Sequence, residues 1–292
     1  MLKGNNSTTQ SSSTVPATWT RRSCNGRRLV QDIAAIRPLG ALIQHRSFAT
    51  VAEEYERGRP GYAAEAIDWA LGTDPLDVLD VGAGTGKLTA ALAAAGHRVT
   101  AVEPLEEMRG LLEATAPAAD VREGTAEHLP LDGASADAVV VGAAFHWFDQ
   151  QRALVEIGRV LRPGGTLALF GNSFDSTVSW QAQLRQILGA GTLGRPGHWP
   201  EPDSLGSLFA EVDDGTFPHS QPTDRARLRD YASSRSGFAV LAEAVRSERL
   251  AEIDALWERT PELASAAGPT LRWITRVRRC RGYAPRGPSD RG

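Results

Sequence analysis

The sequence predicts a doubly wound α/β fold, a mostly parallel sheet with helices on both faces, on three observations. Between residues 62 and 171, short apolar runs of strand length alternate with stretches of helical periodicity. Two of these runs, ADAVVVG at 136–142 and LALF at 167–170, are apolar almost without interruption, as strands covered on both sides are. A glycine cluster directly follows the first run, where such a sheet turns from strand into helix.

The elements follow in order. Tyr62 to Leu71 spaces Ala66, Ile67, Ala70 and Leu71 along one helical face. Asp74 and Pro75 break the pattern, and LDVLDV at 76–81 is the first strand. A helix at 86–95, a strand at 98–103, a helix at 105–115, strands at 119–123 and 136–142, a helix at 150–161 and a strand at 165–171 complete the alternation. After residue 172 the rhythm changes. Helices are predicted at 177–189, 224–234 and 239–258, the last with Leu241, Val245, Ile253 and Leu256 as one apolar stripe, and strands at 208–217 and 270–279. This half reads as the end of the same sheet with helices that roof a substrate pocket.

At 292 residues and 41% hydrophobic composition, the chain can bury one large core. Its formal net charge of -3 argues against a global pull toward nucleic acid or anionic membrane, so a small-molecule partner is expected. The two cysteines, Cys24 and Cys280, fit neither a disulfide framework nor a metal knuckle, and a reducing cytoplasm suits them. No apolar run reaches the roughly 18 residues of a membrane-spanning helix. Residues 1–46 differ from the rest: a Ser/Thr/Asn-rich opening precedes Arg21, Arg22, Arg27, Arg28 and Arg37, with Asp32 as the sole acid. A transit peptide, a disordered tail and an overlong start all fit that composition. The expected domain runs over 47–281, with a ligand-binding core at 76–171, and 282–292 reads as a disordered tail.

Ligands of such sheets bind beyond the carboxyl ends of the strands. There the chain reads Asp80-Val81-Gly82-Ala83-Gly84-Thr85-Gly86. Glycine at 82 and 84 permits positive φ and lets a ligand lie against backbone amides at a helix N-terminus. Glu103 closes the second strand about 20 residues beyond Gly82, where a carboxylate can accept both hydroxyls of a ribose. Thr125, Ala126 and Glu127 follow the third strand, where small residues can border an adenine edge. Met108, in the helix after Glu103, either covers the adenine face or fills core.

DVGAGTG, AVEP, GTAEHLP, AFHWFD and RVLRPGGTLAL, in this order, resemble the class I S-adenosylmethionine-dependent methyltransferases of the type 11 kind. FATVAEEYERGRPGY before them, and RSGF and LRWITRVRR after them, are similar to a small-molecule subgroup that includes trans-aconitate-methyltransferase-like enzymes. The resemblance implies a Rossmann-like three-layer α/β/α fold with seven strands in the order 3-2-1-4-5-7-6, strand 7 antiparallel. It implies S-adenosylmethionine as cofactor, with Gly82, Ala83 and Gly84 along its methionine part, Asp80 at its amino end, Glu103 on the ribose, and Thr125, Ala126 and Glu127 at the adenine. Many relatives carry cysteine in the place of Ala83. The implied reaction is methyl transfer to a small-molecule carboxylate, hydroxyl or carbon.

On the acceptor side, His146 in the run Phe145-His146-Trp147-Phe148-Asp149 is the candidate general base, against a reading as a helix-entry histidine. Tyr55, Arg57, Arg59 and Tyr62 resemble a segment that folds over the cofactor, and an arginine there can pair with a carboxylate. Arg276, Arg278, Arg279 and Arg281 read as charge on a surface edge strand rather than as a nucleic-acid patch. No metal is expected, since the 6 histidines are scattered. Two alternatives stay open. A nicotinamide or flavin oxidoreductase would use the same strand and turn, although its GxGxxG fingerprint wants a glycine where Lys87 stands. A non-catalytic S-adenosylmethionine-binding scaffold would share every binding residue. Oligomeric state is not legible.

Overall fold

The first apolar run becomes β1 (Asp77–Val81), every residue after Asp77 buried, and it sets the frame for the rest. The computed structural model describes residues 56–189, 205, 208–239, 241–264 and 268–284. The Ser/Thr-rich opening, the arginines at 21–37, Cys24 and Tyr55 lie outside them.

Seven strands form one sheet in the order β3-β2-β1-β4-β5-β7-β6. They are β1, β2 (Arg98–Val102), β3 (Asp120–Arg122), β4 (Ala136–Gly142), β5 (Leu161–Phe174), β6 (Phe209–Pro222) and β7 (Thr270–Tyr283). β1 pairs in parallel with both β2 and β4, which puts the reversal of strand order at the carboxyl end of β1. β7 is antiparallel to β5 and to β6, in agreement with the expected order.

Helix α1 (Ala64–Leu71) leads into β1, and the helices between strands are α2 (Lys87–Ala94), α3 (Glu106–Thr115) and α4 (Gln150–Val160). Alternation along the strands sorts the core into two layers, because successive side chains point to opposite faces. Val78, Val140, Ala168 and Phe170 pack toward Ala66, Ile67 and Ala70 of α1 and Leu88 and Leu92 of α2. Leu79, Val139, Val141, Leu167 and Leu169 pack with Ala153, Ile157 and Val160 of α4. Asp149 starts α4 by accepting from the Arg152 N–H at 3.3 Å, an N-cap of the usual kind.

A third cluster lies under α5 (Ser179–Ile187), α6 (Arg225–Ser233), a short helix α7 (Ser236–Ala239) and α8 (Glu243–Arg259). Its centre is Trp273 of β7, packed 4.5 Å from Phe174 between ring centroids. The helix expected over 239–258 is α8, which starts at Glu243, and Ala239 instead closes α7. Of its expected stripe, Ile253 and Leu256 are buried, whereas Val245 is 37% exposed and Leu241 precedes α8.

Strand lengths differ most on the antiparallel side. β5 begins at Leu161 because Ala136 pairs with Leu161 across a register shift whose extra residues lie on β5, before Ala138 pairs with Thr166. It continues to Phe174 because β7 pairs with it that far. β7 runs past 281 to Tyr283, which pairs with Phe209 across the ladder.

The arginine group requires a correction. β7 is an interior strand, not an edge, and Arg278, Arg279 and Arg281 face acids on β6, whereas Arg276 lies opposite Thr216. Arg278, 7% exposed, donates to Asp214 through Nε and Nη2 at 2.8 and 2.7 Å. Arg279 pairs with Asp213 at 3.0 Å and lies over the Trp69 ring, and Arg281 pairs with Glu211. Cross-strand neutralisation of this kind offers phosphates little. No described helix is long and apolar enough to cross a membrane.

Candidate active site

At the end of β1 the chain must leave a buried strand and enter α2 within a few residues. Gly82, Gly84 and Gly86 do this with φ of 69°, 58° and 90°, values that a side chain disfavours. A Cβ at 82 would lie 2.9 Å from Ala144 Cβ, and one at 86 would lie 2.5 Å from Leu112 Cδ1. A Cβ at 84 meets nothing within 4 Å. The glycines at 82 and 86 thus make room for packing, and Gly84 turns its bare side to open space.

The amides of Gly82, Ala83 and Gly84 are not left for a ligand, which corrects one expectation. Gly82 and Ala83 both donate to the Val102 carbonyl, at 2.8 and 3.2 Å, and Gly84 donates to Glu103 Oε2 at 2.9 Å. Buried amides find partners wherever the fold supplies them, and the adjacent end of β2 supplies these. What faces the cleft is the Cα side of Gly84 and the side chains around it.

Two buried acids flank the bend. Asp80 has no exposed surface; its Oδ2 accepts from Thr89 Oγ1 at 2.7 Å, and its Oδ1 is buried without a hydrogen-bond partner. Burial pushes its carboxyl up to about 7, against the Thr89 hydrogen bond and with a further push from the nearby Glu103 charge. Glu103, 4% exposed, accepts from Gly84 through Oε2 and from the Leu105 N–H through Oε1 at 3.1 Å. Burial raises its carboxyl too, and the two amides and Arg109 work the other way. Each oxygen retains acceptor capacity for a further donor.

The cleft over the bend is lined by Asp80 and Gly82 to Thr85, by Lys87 and Leu88 of α2, by Gly142 and Ala143 after β4, by Asn172 of β5, and by Arg59, Pro60 and Tyr62. Ala143 holds a φ of 53°, a strained value at the cleft floor. Asn172 is fixed from both ends, donating to the Gly61 carbonyl at 2.8 Å and accepting from Thr275 Oγ1 at 2.7 Å. The segment before α1 crosses the mouth of the cleft under polar ties. Arg57 pairs with Asp230 at 2.8 Å, Arg59 donates to Ser234 Oγ and to its carbonyl at 3.1 Å each, and Lys87 Nζ pairs with Glu56 Oε1 at 2.8 Å. The carboxylate partner expected for an arginine here is, for Arg57, an acid of the protein itself.

Asp80, Gly82, Ala83 and Gly84 are thus brought together, with Glu103 bonded to Gly84. The remaining expected residues do not line this cleft. Met108 is buried on α3 and Ala126 is in the core, while Thr125 bridges to His128 and Glu127 Oε1 accepts from the Asp149 N–H at 2.8 Å. His146 is exposed on a 3-10 turn after β4, its ring 4.7 Å from that of Trp147. Sequence reasoning missed Lys87, Ala143 and Asn172 as site residues. Lys87 had a signal, since a lysine opening a helix sits against the helix dipole; Asn172 had none. Among the described residues no group of three or more His, Cys, Asp or Glu is arranged to hold a metal.

Residues 79–169 match the methyltransferase domain family. An uncharacterized methyltransferase of Mycobacterium tuberculosis is 40% identical over 231 residues, covering 78% of this chain and 93% of that one. An uncharacterized methyltransferase-like protein of Schizosaccharomyces pombe is 32% identical over 229 residues, covering 76% and 90%. A solved structure from Anaeromyxobacter dehalogenans, named as a candidate type II methyltransferase, matches with a TM-score of 0.57 at 25% identity over 78% of this chain and 99% of that one. With its seven-stranded sheet and its glycine bend at the switch point, the chain belongs to the class I S-adenosylmethionine-dependent methyltransferases.

Proposed function

We propose that the cleft over Gly84 holds S-adenosylmethionine and that the enzyme transfers its methyl group to a small-molecule acceptor. The observation that carries this reading is the pairing of an open glycine face with a buried acid that lacks a partner. A Cβ at Gly84 would enter free space, and Asp80 Oδ1 beside it waits for a donor. A ligand that is cationic and comes close to backbone fits both. Glu103 is assigned to the ribose through its remaining lone pairs, Met108, Thr125, Ala126 and Glu127 to the adenine side, and Ala83 to the methionine part.

Bound there, the donor supplies a methyl group on a positively charged sulfur, open to in-line displacement. The protein's part is alignment and exclusion of water. Asp80, once ionised, favours the cationic ligand, and the ties of Arg57, Arg59 and Lys87 hold the crossing segment over the cleft. An acceptor carboxylate needs no base; for a hydroxyl, His146 is the group assigned to take the proton. A small acceptor is supported by the cover over the cleft and by the pairing of the β7 arginines with β6 acids. The buried, unpaired thiol of Cys280 suits a reducing cytoplasm.

The test is incubation with methyl-labelled S-adenosylmethionine and a metabolite extract, followed by separation by mass. Label in low-mass products is the expected result; label confined to protein or nucleic acid would contradict the small-molecule assignment.

A further inference from the structure

We propose that Asn172 orients the methyl acceptor, presenting one side-chain N–H to an oxygen lone pair of that molecule, and that Thr275 is the positioning residue that sets which way the amide faces. The assignment rests on the reading of the cleft as a site of methyl transfer to a small molecule.

Asn172 lines the cleft from β5, whereas the glycine bend lines it from the end of β1. β4 lies between these strands, and at about 4.8 Å per strand the two positions are about 10 Å apart. A donor seated over Gly84 thus has Asn172 on its far side, with Gly142 and Ala143 at the end of β4 between them. The second reactant has its place there.

The amide of Asn172 is held in one orientation. Thr275 stands directly opposite it in the ladder of β5 and β7 and is wholly buried. Thr275 Oγ1 accepts from the Ala63 N–H at 3.3 Å and donates its single proton to Asn172 Oδ1 at 2.7 Å. Asn172 Nδ2 donates in turn to the Gly61 carbonyl at 2.8 Å. In the opposite polarity the Thr275 proton would turn to His219 Nδ1, 3.4 Å away, and the amide would reverse. Asn172 Oδ1 would then meet the Gly61 carbonyl, oxygen against oxygen, so the network admits the first arrangement alone. A side-chain amide has two donors and two acceptor sites, and one of each is used. One N–H and one lone pair remain.

The charges of the cleft decide between them. Among the described residues Asp80 is the one acid that lines it, and Asp80 belongs to the bend. Arg59, two residues before Gly61, brings a positive charge to the Asn172 side. An electron-rich oxygen is favoured beside that charge and takes the N–H. An amine or a hydroxyl proton would need the lone pair and would face the cation. The cleft therefore suits an acceptor that offers an accepting oxygen next to the atom to be methylated.

The alternative is that Asn172 only ties the segment before α1 to β5. The two roles separate in two measurements on the full chain: titration with S-adenosylhomocysteine, and label transfer from methyl-labelled S-adenosylmethionine over a dilution series of metabolite extract, read at the low-mass product that the parent chain labels. Asn172→Ala should raise the half-saturating extract concentration by about 5- to 100-fold, the cost of an oxygen left without its donor, and change S-adenosylhomocysteine affinity by less than about 2-fold. Asn172→Asp replaces the donor with an acceptor and should lose more. Thr275→Val removes the proton that fixes the amide and should raise the same half-saturation by about 3- to 10-fold, with Thr275→Ser restoring it; Asn172→Asp keeps the test valid should Thr275→Val melt early. If Asn172→Asp retains more transfer than Asn172→Ala, the polarity is the reverse and the assignment is overturned. Equal loss in both measurements, or none in either, overturns it too and leaves a tie. A parent chain that binds S-adenosylhomocysteine and labels no low-mass product overturns the small-molecule reading itself, and this assignment with it.

Discussion

The Gly84 amide donates to Glu103 Oε2 across 2.9 Å, so the bend after β1 and the acid after β2 are a single unit. Removing Glu103 thus has two effects. Glu103→Ala leaves the Gly84 and Leu105 amides without their acceptor and should cost about 1 to 3 kcal/mol of stability, with a comparable loss in S-adenosylhomocysteine affinity. Urea unfolding and calorimetric titration measure the two. An unchanged affinity would count against the ribose assignment, and an unchanged midpoint against the brace.

Gly84 and Gly86 should fail in opposite ways. Alanine at 84 enters open space and bears only the left-handed backbone strain, about 1 to 2 kcal/mol, but its methyl occupies the ligand's position. Alanine at 86 adds to the same strain a contact of 2.5 Å with Leu112 Cδ1, an overpacking cost of about 1 to 3 kcal/mol more. Gly84→Ala is expected to keep the fold better and bind donor worse; the reverse order in melting and titration would contradict the geometry.

Asp80 makes both stability and binding depend on pH. Its folded value of about 7 stands above the ordinary 3.8, so the folded chain holds a proton that the unfolded chain has released between these values. Its contribution to stability is therefore greatest at low pH and declines as pH rises toward about 7. Asp80→Asn should flatten that decline. A cationic donor favours the ionised acid, so affinity should increase as pH rises to about 7 and then level off, with proton release on binding below that point. Calorimetry in buffers of different ionisation heat detects the proton; binding without release at pH 6 would contradict the role of Asp80.

The β7 arginines should differ by burial. Arg278 keeps 9% of its side-chain surface and Arg281 keeps 46%. Arg278→Ala removes a charged two-point contact to Asp214 and should cost about 1 to 3 kcal/mol. Arg281→Ala should stay within about 1 kcal/mol, as exposed pairs do. Equal effects in urea would mean that the ladder of opposite charges does not stabilise the sheet.

Residues 62 to 142 were legible because each run there carries its own signal: Asp77–Val81 and Ala136–Gly142 are short, mostly apolar runs of strand length, and the glycines mark the turn between strand and helix. The antiparallel side was less so. The length of β5 depends on a partner strand about a hundred residues away, and a run such as LRWITRVRRCRGY gives no hint that Arg278, Arg279 and Arg281 will face acids of β6. At the site, Gly84 could be named from its place after the first strand, and Asp80 from the family resemblance. That the bend's amides would be taken by Val102 and Glu103 could not, because it depends on how closely β2 lies against β1. Lys87 and Glu56 escaped for a similar reason: the pair spans a loop and a helix start, and neither residue alone suggests the other.

The most direct measurement is a crystal structure of the full chain with S-adenosylhomocysteine. The account predicts the thioether and amino-acid head over Gly84, with the ammonium within hydrogen-bond distance of Asp80 Oδ1. Ligand bound elsewhere, with the space above Gly84 closed by neighbouring side chains, would contradict it.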